Sequence, residues 1–175
     1  NKSVGSIVIP VFIQDGDDAE ESIEKSDFKK IWWVINALKA HDGALANELN
    51  EIRTEMGRRN KKRVKPSGLT KVIFDLPTTV NTQFANALRA QLVEQTTASW
   101  NFWFGLLESY HKREGECRMP VGHTEGEYKL GRWVGKQRSK KDKLTPEQRQ
   151  RLDDLGFVWD PFEQQWEEGF AALLR

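Results

Sequence analysis

From Phe28 onward the apolar residues of this sequence return at intervals of three and four, segment after segment, and that period dictates helices. Phe28, Ile31, Trp32, Ile35 and Leu38 form one stripe, with Ser26 placed to cap it and "HDG" at 41–43 to end it. Leu45, Leu49, Ile52 and Met56 form a second, which runs out in "GRRNKKRVKPSG", whose glycines, proline and cations read as a mobile loop. Val80, Phe84, Leu88 and Leu92 predict a third helix over about 79–96. A fourth carries Trp100, Trp103, Phe104, Leu107, Tyr110 and His111 on one face and ends near "REGE". "LTPEQRQRLDDLGF" holds a full set of helix boundary signals: Thr145 as N-cap, Pro146 in the first turn, Gln148 as capping-box partner and Gly156 past the end.

Two runs depart from that period. "SIVIPVFI" (6–13) is β-branched and continuous, the pattern of a buried strand, with Pro10 assigning it to an edge or a strand end. "KVIFDLP" (71–77) reads as a second short strand. The expected fold is therefore mainly α: a helical segment with a short N-terminal strand, followed by a small three-helix bundle. Trp100, Leu107, Trp133, Leu152, Leu155 and Trp159 would supply the bundle's core.

Composition bounds the rest. With 175 residues, 38% hydrophobic and 30% charged, the chain can bury one modest core or two small ones. No apolar run reaches the roughly 18 residues of a membrane span, and the N-terminus lacks the order of a secretory signal, so a cytoplasmic location is expected. The single cysteine, Cys117, excludes an intramolecular disulfide. A first residue other than Met, and an end inside the helix-like "WEEGFAALLR", suggest a fragment. The formal net charge of +1 conceals blocks. Residues 15–27 are acidic, 53–65 are basic, and 129–143 are basic again.

The last block contains "LGRWVGKQRSKK" (130–141). As a phosphate-binding loop it fails: Gly131 and Gly135 are one residue too close, Gln137 stands where a magnesium-binding hydroxyl belongs, and no strand precedes it. On a helical wheel Leu130, Trp133, Val134 and Gln137 share a face, Lys129, Arg132, Lys136 and Lys140 form an adjacent stripe, and Arg138 lies on the other flank. Both glycines are expected away from the apolar face, where another backbone, of a packed helix or a phosphodiester, could come close. Such a stripe, with Lys141 beyond it, can neutralise phosphates, while Gln137 or Arg138 could reach a base edge; a solvated charged face is the competing reading. Arg58, Arg59, Lys61, Lys62 and Arg63 form a second candidate, a phosphate-contacting arm or simply a charged tether. Trp32, Trp33, Phe102 and Leu106 read as packing residues, the last two joining the bundle to the preceding helices; an exposed Trp33 could instead stack a base or meet another domain.

His111, Cys117 and His123 do not supply the four ligands in paired short spacings that a structural zinc needs, so no metal is expected. His111 fits a hydrogen-bonded core position, and Cys117 a small packed residue. Nor does Cys117 have the orienting acid of a nucleophile pair, and the chain carries no nucleotide-hydrolysis motif.

One pattern recurs. "WNFWFGLL" and "WEEGFAALL" share W-x-x-x-F-x-x-L, with Trp166, Phe170 and Leu173 each 66 positions after Trp100, Phe104 and Leu107, as in a tandem array. That run, with "GECRMPVGH", "LGRWVGKQR" and "LTPEQRQRLDDLGFVWD", resembles the bacterial helicase-associated domain, a three-helix unit found in tandem after the motor of superfamily-two helicases. The resemblance implies three parts: a post-motor segment over 1–97 closing the C-terminal motor lobe, one repeat over 98–160, and the start of a second over 161–175. It also implies a non-catalytic segment that binds DNA or RNA, or alternatively docks onto the motor lobes or a partner protein. ATP and magnesium would belong to the parent motor and no cofactor to this segment.

Overall fold

In a computed structural model of the protein, the residues described are 8, 26–61, 69–76, 82–161, 166, 169 and 170. Among them are six α-helices: α1 (Ser26–Lys39), α2 (Gly43–Arg58), α3 (Thr82–Thr96), α4 (Ser99–Glu114), α5 (Leu130–Ser139) and α6 (Pro146–Asp154). A short 3-10 turn, Lys141–Lys143, separates the last two. The fold is mainly helical, and no strand is present among the described residues. The strand expected at 6–13 lies outside them apart from Val8, which is exposed. The strand expected at 71–77 does not form over its described part, 71–76. Among the described residues no strand lies beside it to pair with, and side-chain contacts hold the segment instead. Glu48 accepts hydrogen bonds from Thr70 N and Oγ1, both at 2.6 Å, Lys71 pairs with Asp42 at 2.7 Å, and the Arg89 guanidinium lies over the Phe74 ring.

Two compact units emerge, one within 1–53 and 62–101, the other within 54–61 and 102–175. In the first, α1 packs on α3 through Phe28 and Phe84, with Trp32, Ile35, Leu88 and Leu92 buried alongside. Asp42 ends the α1 turn and caps α2 by accepting from Leu45 N at 3.0 Å. A buried-edge ion pair, Arg53 to Glu94 at 2.9 Å, joins α2 to α3, and Lys39 Nζ donates to the Thr96 carbonyl at the end of α3. Trp100 falls in this unit and is half-buried, so it is not part of the bundle core expected for it.

In the second unit, α4, α5 and α6 bury Phe104, Leu107, Leu130, Val134 and Leu152. Leu155 and Trp159, expected in this core, are half-buried at its margin. The opposite side of α4, Phe102 and Leu106, is buried as well. Its partner includes the last turn of α2, where Gly57 and Gly105 let two backbones cross. A Cβ on Gly57 would collide with the Phe102 carbonyl, and one on Gly105 with the Thr54 carbonyl. Arg58 to Glu108 at 2.9 Å and Arg151 to Thr54 at 3.4 Å fasten the crossing. Gly57 and Arg58, read from sequence as the start of a mobile loop, thus end a packed helix, and 59–61 follow as a hydrogen-bonded turn. α6 is bounded as expected: Thr145 and Gln148 make both capping-box bonds. Gly156 (φ 72°) turns the chain so that Phe157 N donates to the Leu152 carbonyl at 3.0 Å.

Candidate nucleic-acid interface

The phase of α5 is fixed on three sides. Trp133 stacks on Trp103 at 6.2 Å and 9°, while Tyr128 sets its ring edge-on to Trp103 at 5.6 Å. The loop before the helix takes up its first donors, Leu130 N giving to Tyr128 O and Gly131 N to His123 O. That loop is braced in turn. Glu125 receives Arg113 at 2.6 Å and His123 at 2.8 Å, and Tyr110 Oη donates to Arg118 O at 2.9 Å. Burial pushes the Glu125 carboxyl up, but the hydrogen bonds from Arg113 and His123 outweigh it and hold the group below its ordinary range.

With that phase set, the outward arc of α5 and its flanks carries Lys129, Arg132, Gly135, Lys136, Ser139 and Lys140. Lys129, Arg132, Lys136 and Lys140 are all exposed. Among the described residues their side chains make no ion pair and no hydrogen bond. The two glycines differ, which corrects the expectation that both face away from the core. Gly131 is buried, and a Cβ there would strike the Pro120 carbonyl. Gly135 has nothing within 4 Å of the place a Cβ would occupy. Ser139 turns its hydroxyl back onto the Gly135 carbonyl at 3.1 Å, which leaves the arc without a free short polar side chain.

The remaining candidates are placed otherwise. Gln137 is buried and its amide donates to Trp133 O at 3.3 Å, so it cannot present a base-reading group. Arg138 is half-buried: Nε donates to Val158 O at 2.8 Å and the guanidinium covers the Phe157 ring, while burial pulls its pKa down from the ordinary value. Lys141 lies over Trp159 with its Nζ 5.4 Å from the ring centre. In the second basic block, Arg58 and Arg59 are held by Glu55 and Glu108, Lys61 is exposed, and Lys62 and Arg63 lie outside the described residues. Lys143, an exposed cation just beyond α5, belongs to the same basic block, and only its charge marks it in the sequence.

The titratable clusters weighed from sequence come apart. His123 faces Glu125 and the Tyr110 ring, and His111 is half-buried on α4. Cys117 is buried with its Sγ 3.6 Å from Leu155 O, and burial pushes its thiol up to about 11, the reverse of a nucleophile. Among the described residues no three His, Cys, Asp or Glu side chains gather as metal ligands, and no helix is long and apolar enough to cross a membrane.

Residues 97–160 match the model of a protein family described as the helicase associated domain. No curated protein and no solved structure matches the chain.

Proposed function

We propose, on the strength of that match over residues 97–160, that the protein is a non-catalytic, nucleic-acid-binding region of an ATP-dependent helicase. Residues 1–97 would follow the motor's C-terminal lobe, and 161–175 would open a second repeat. ATP and magnesium would be held by the motor, in the cytoplasm. The observation that carries this reading is the fixed arc of Lys129, Arg132, Lys136 and Lys140, exposed and unopposed by any described carboxylate. Side chains so placed replace condensed counterions on a phosphate backbone, so affinity is electrostatic and independent of sequence. The unit would hold DNA or RNA while the motor pulls.

A salt titration tests it. If three or four of these cations reach phosphates of a duplex, log affinity falls with log salt at a slope of about −3 to −4. Charge reversal by Arg132→Glu, Lys136→Glu and Lys140→Glu should abolish binding without unfolding the chain. Absence of binding at low salt would sink the proposal.

A second reading, docking onto motor lobes or another protein, is favoured by one observation: Trp33 on α1 is 76% exposed. Under that reading the triple reversal leaves nucleic-acid binding unchanged, whereas Trp33→Ala disrupts association with the motor.

A further inference from the structure

From the arc of α5 we infer that the ligand is a duplex, held by the phosphates of both strands with one backbone seated against Gly135, and with no base stacked or read. The inference rests on the reading of the arc as a nucleic-acid interface and names what that interface takes.

Three observations carry it. The first concerns aromatic rings, which single-strand binders present so that unstacked bases can lie on them. Residues 97–160 are all described, and none of their aromatic residues is exposed, with Trp100, Trp103, Tyr128 and Trp159 half-buried and the others buried. Trp103, Tyr128, Phe102 and Trp133 pack on one another. Phe157 and Trp159 meet edge to face, and Arg138, Lys141 and Arg149 lie over them. Arg151 lies over Phe104, and Tyr110 is set against His123. A single strand would thus gain only its phosphate contacts here, at half the linear charge density of a duplex and with less counterion release per contact.

The second observation is length. At the helical rise, Lys129 and Lys140 stand about 16 Å apart along the arc, more than the roughly 12 Å width of a duplex major groove. Cations at its two ends can therefore reach phosphates of different strands.

The third observation is the gap at Gly135, between Arg132 and Lys136. Glycine within a helix is destabilising relative to alanine, and among the described residues nothing lies within 4 Å of the place a Cβ would take. That space admits a phosphodiester close to the helix backbone with a cation on either side. Base readout is excluded at the residues suited to it, because the Gln137 amide is buried and the Arg138 guanidinium is committed to Val158 and Phe157.

The experiment is a fluorescence-anisotropy titration of the whole chain at low salt. Its probes are single-stranded DNA, an A·T-rich duplex and a G·C-rich duplex of equal length, each bound to the parent chain and to Gly135→Leu. Expected are duplex affinity at least about ten-fold above single strand, near-equal affinity for the two duplexes, and several-fold weaker duplex binding by Gly135→Leu with undiminished thermal stability. Single-strand affinity equal to or above that of the duplex overturns the duplex assignment but leaves the interface standing. A clear preference between the two duplexes overturns the exclusion of base readout, and unchanged duplex binding by Gly135→Leu overturns the seat. Failure to bind any probe overturns the interface itself.

Discussion

At Gly131 a methyl group would run into the Pro120 carbonyl, whereas at Gly135 it would meet nothing within 4 Å. Alanine substitution should therefore move stability in opposite directions. Gly131→Ala is expected to cost about 1–3 kcal/mol through the forced shift of the loop, and Gly135→Ala to add up to about 1 kcal/mol through helix propensity. Urea denaturation of the two variants beside the parent chain reads both signs. The wheel that ordered these residues in sequence placed Gln137 on the apolar side correctly, but it could not show that a loop eleven residues earlier would cover Gly131. Cys117 supplies a second prediction at this scale. Its thiol is raised from 9.0 to about 11, so the folded state prefers it protonated. That contribution to stability is fully present below about pH 9 and is lost as pH rises through about 11. Thiol labelling by a disulfide reagent should be slow at pH 8 in the native protein and fast in urea; fast native labelling would contradict the buried placement.

Helices were the most legible elements because each carries a stripe, a cap or both. α6 is the clearest case, with Thr145, Pro146, Gln148 and Gly156 all in the places their chemistry assigns. Removing the cap by Thr145→Ala leaves the Gln148 amide unsatisfied and should lower stability by about 1 kcal/mol, read as a fall in the urea midpoint. The run at 71–77 shows why strands were harder. Four apolar residues between polar ones are compatible with a strand, but a strand needs a partner, and partner identity is not a local property. The crossing of α2 with α4 was legible only in part: Phe102 and Leu106 announce that α4 packs on an earlier helix, but not on which one or where. Gly57 and Gly105 lie 48 positions apart, and neither position announces the other.

For the molecule as a whole, near-neutral charge conceals a set of carboxylates held ionised by specific partners. Asp42 is lowered chiefly by its hydrogen bond to Lys71. Burial raises Glu48, Glu55 and Glu125, yet hydrogen bonds outweigh it and leave all three lowered: Thr70 and Lys71 at Glu48, Arg58 and Arg59 at Glu55, Arg113 and His123 at Glu125. Lowered acids stabilise the fold above their ordinary values of 3.8 and 4.5, and that stabilisation is lost as pH falls through their folded values. The urea midpoint should accordingly hold steady from pH 7 to about 5 and drop below about 4; a midpoint flat to pH 3 would show these pairs contribute nothing.

The last turn of α2 lies well upstream of the matched stretch 97–160, yet it is built into the second unit by the Gly57 and Gly105 crossing. Excising 97–160 for transplantation would remove that crossing, so the smallest portable form is discontinuous: that stretch plus a short synthetic peptide covering 54–61. Mixing the two should restore cooperative melting in proportion to the peptide added.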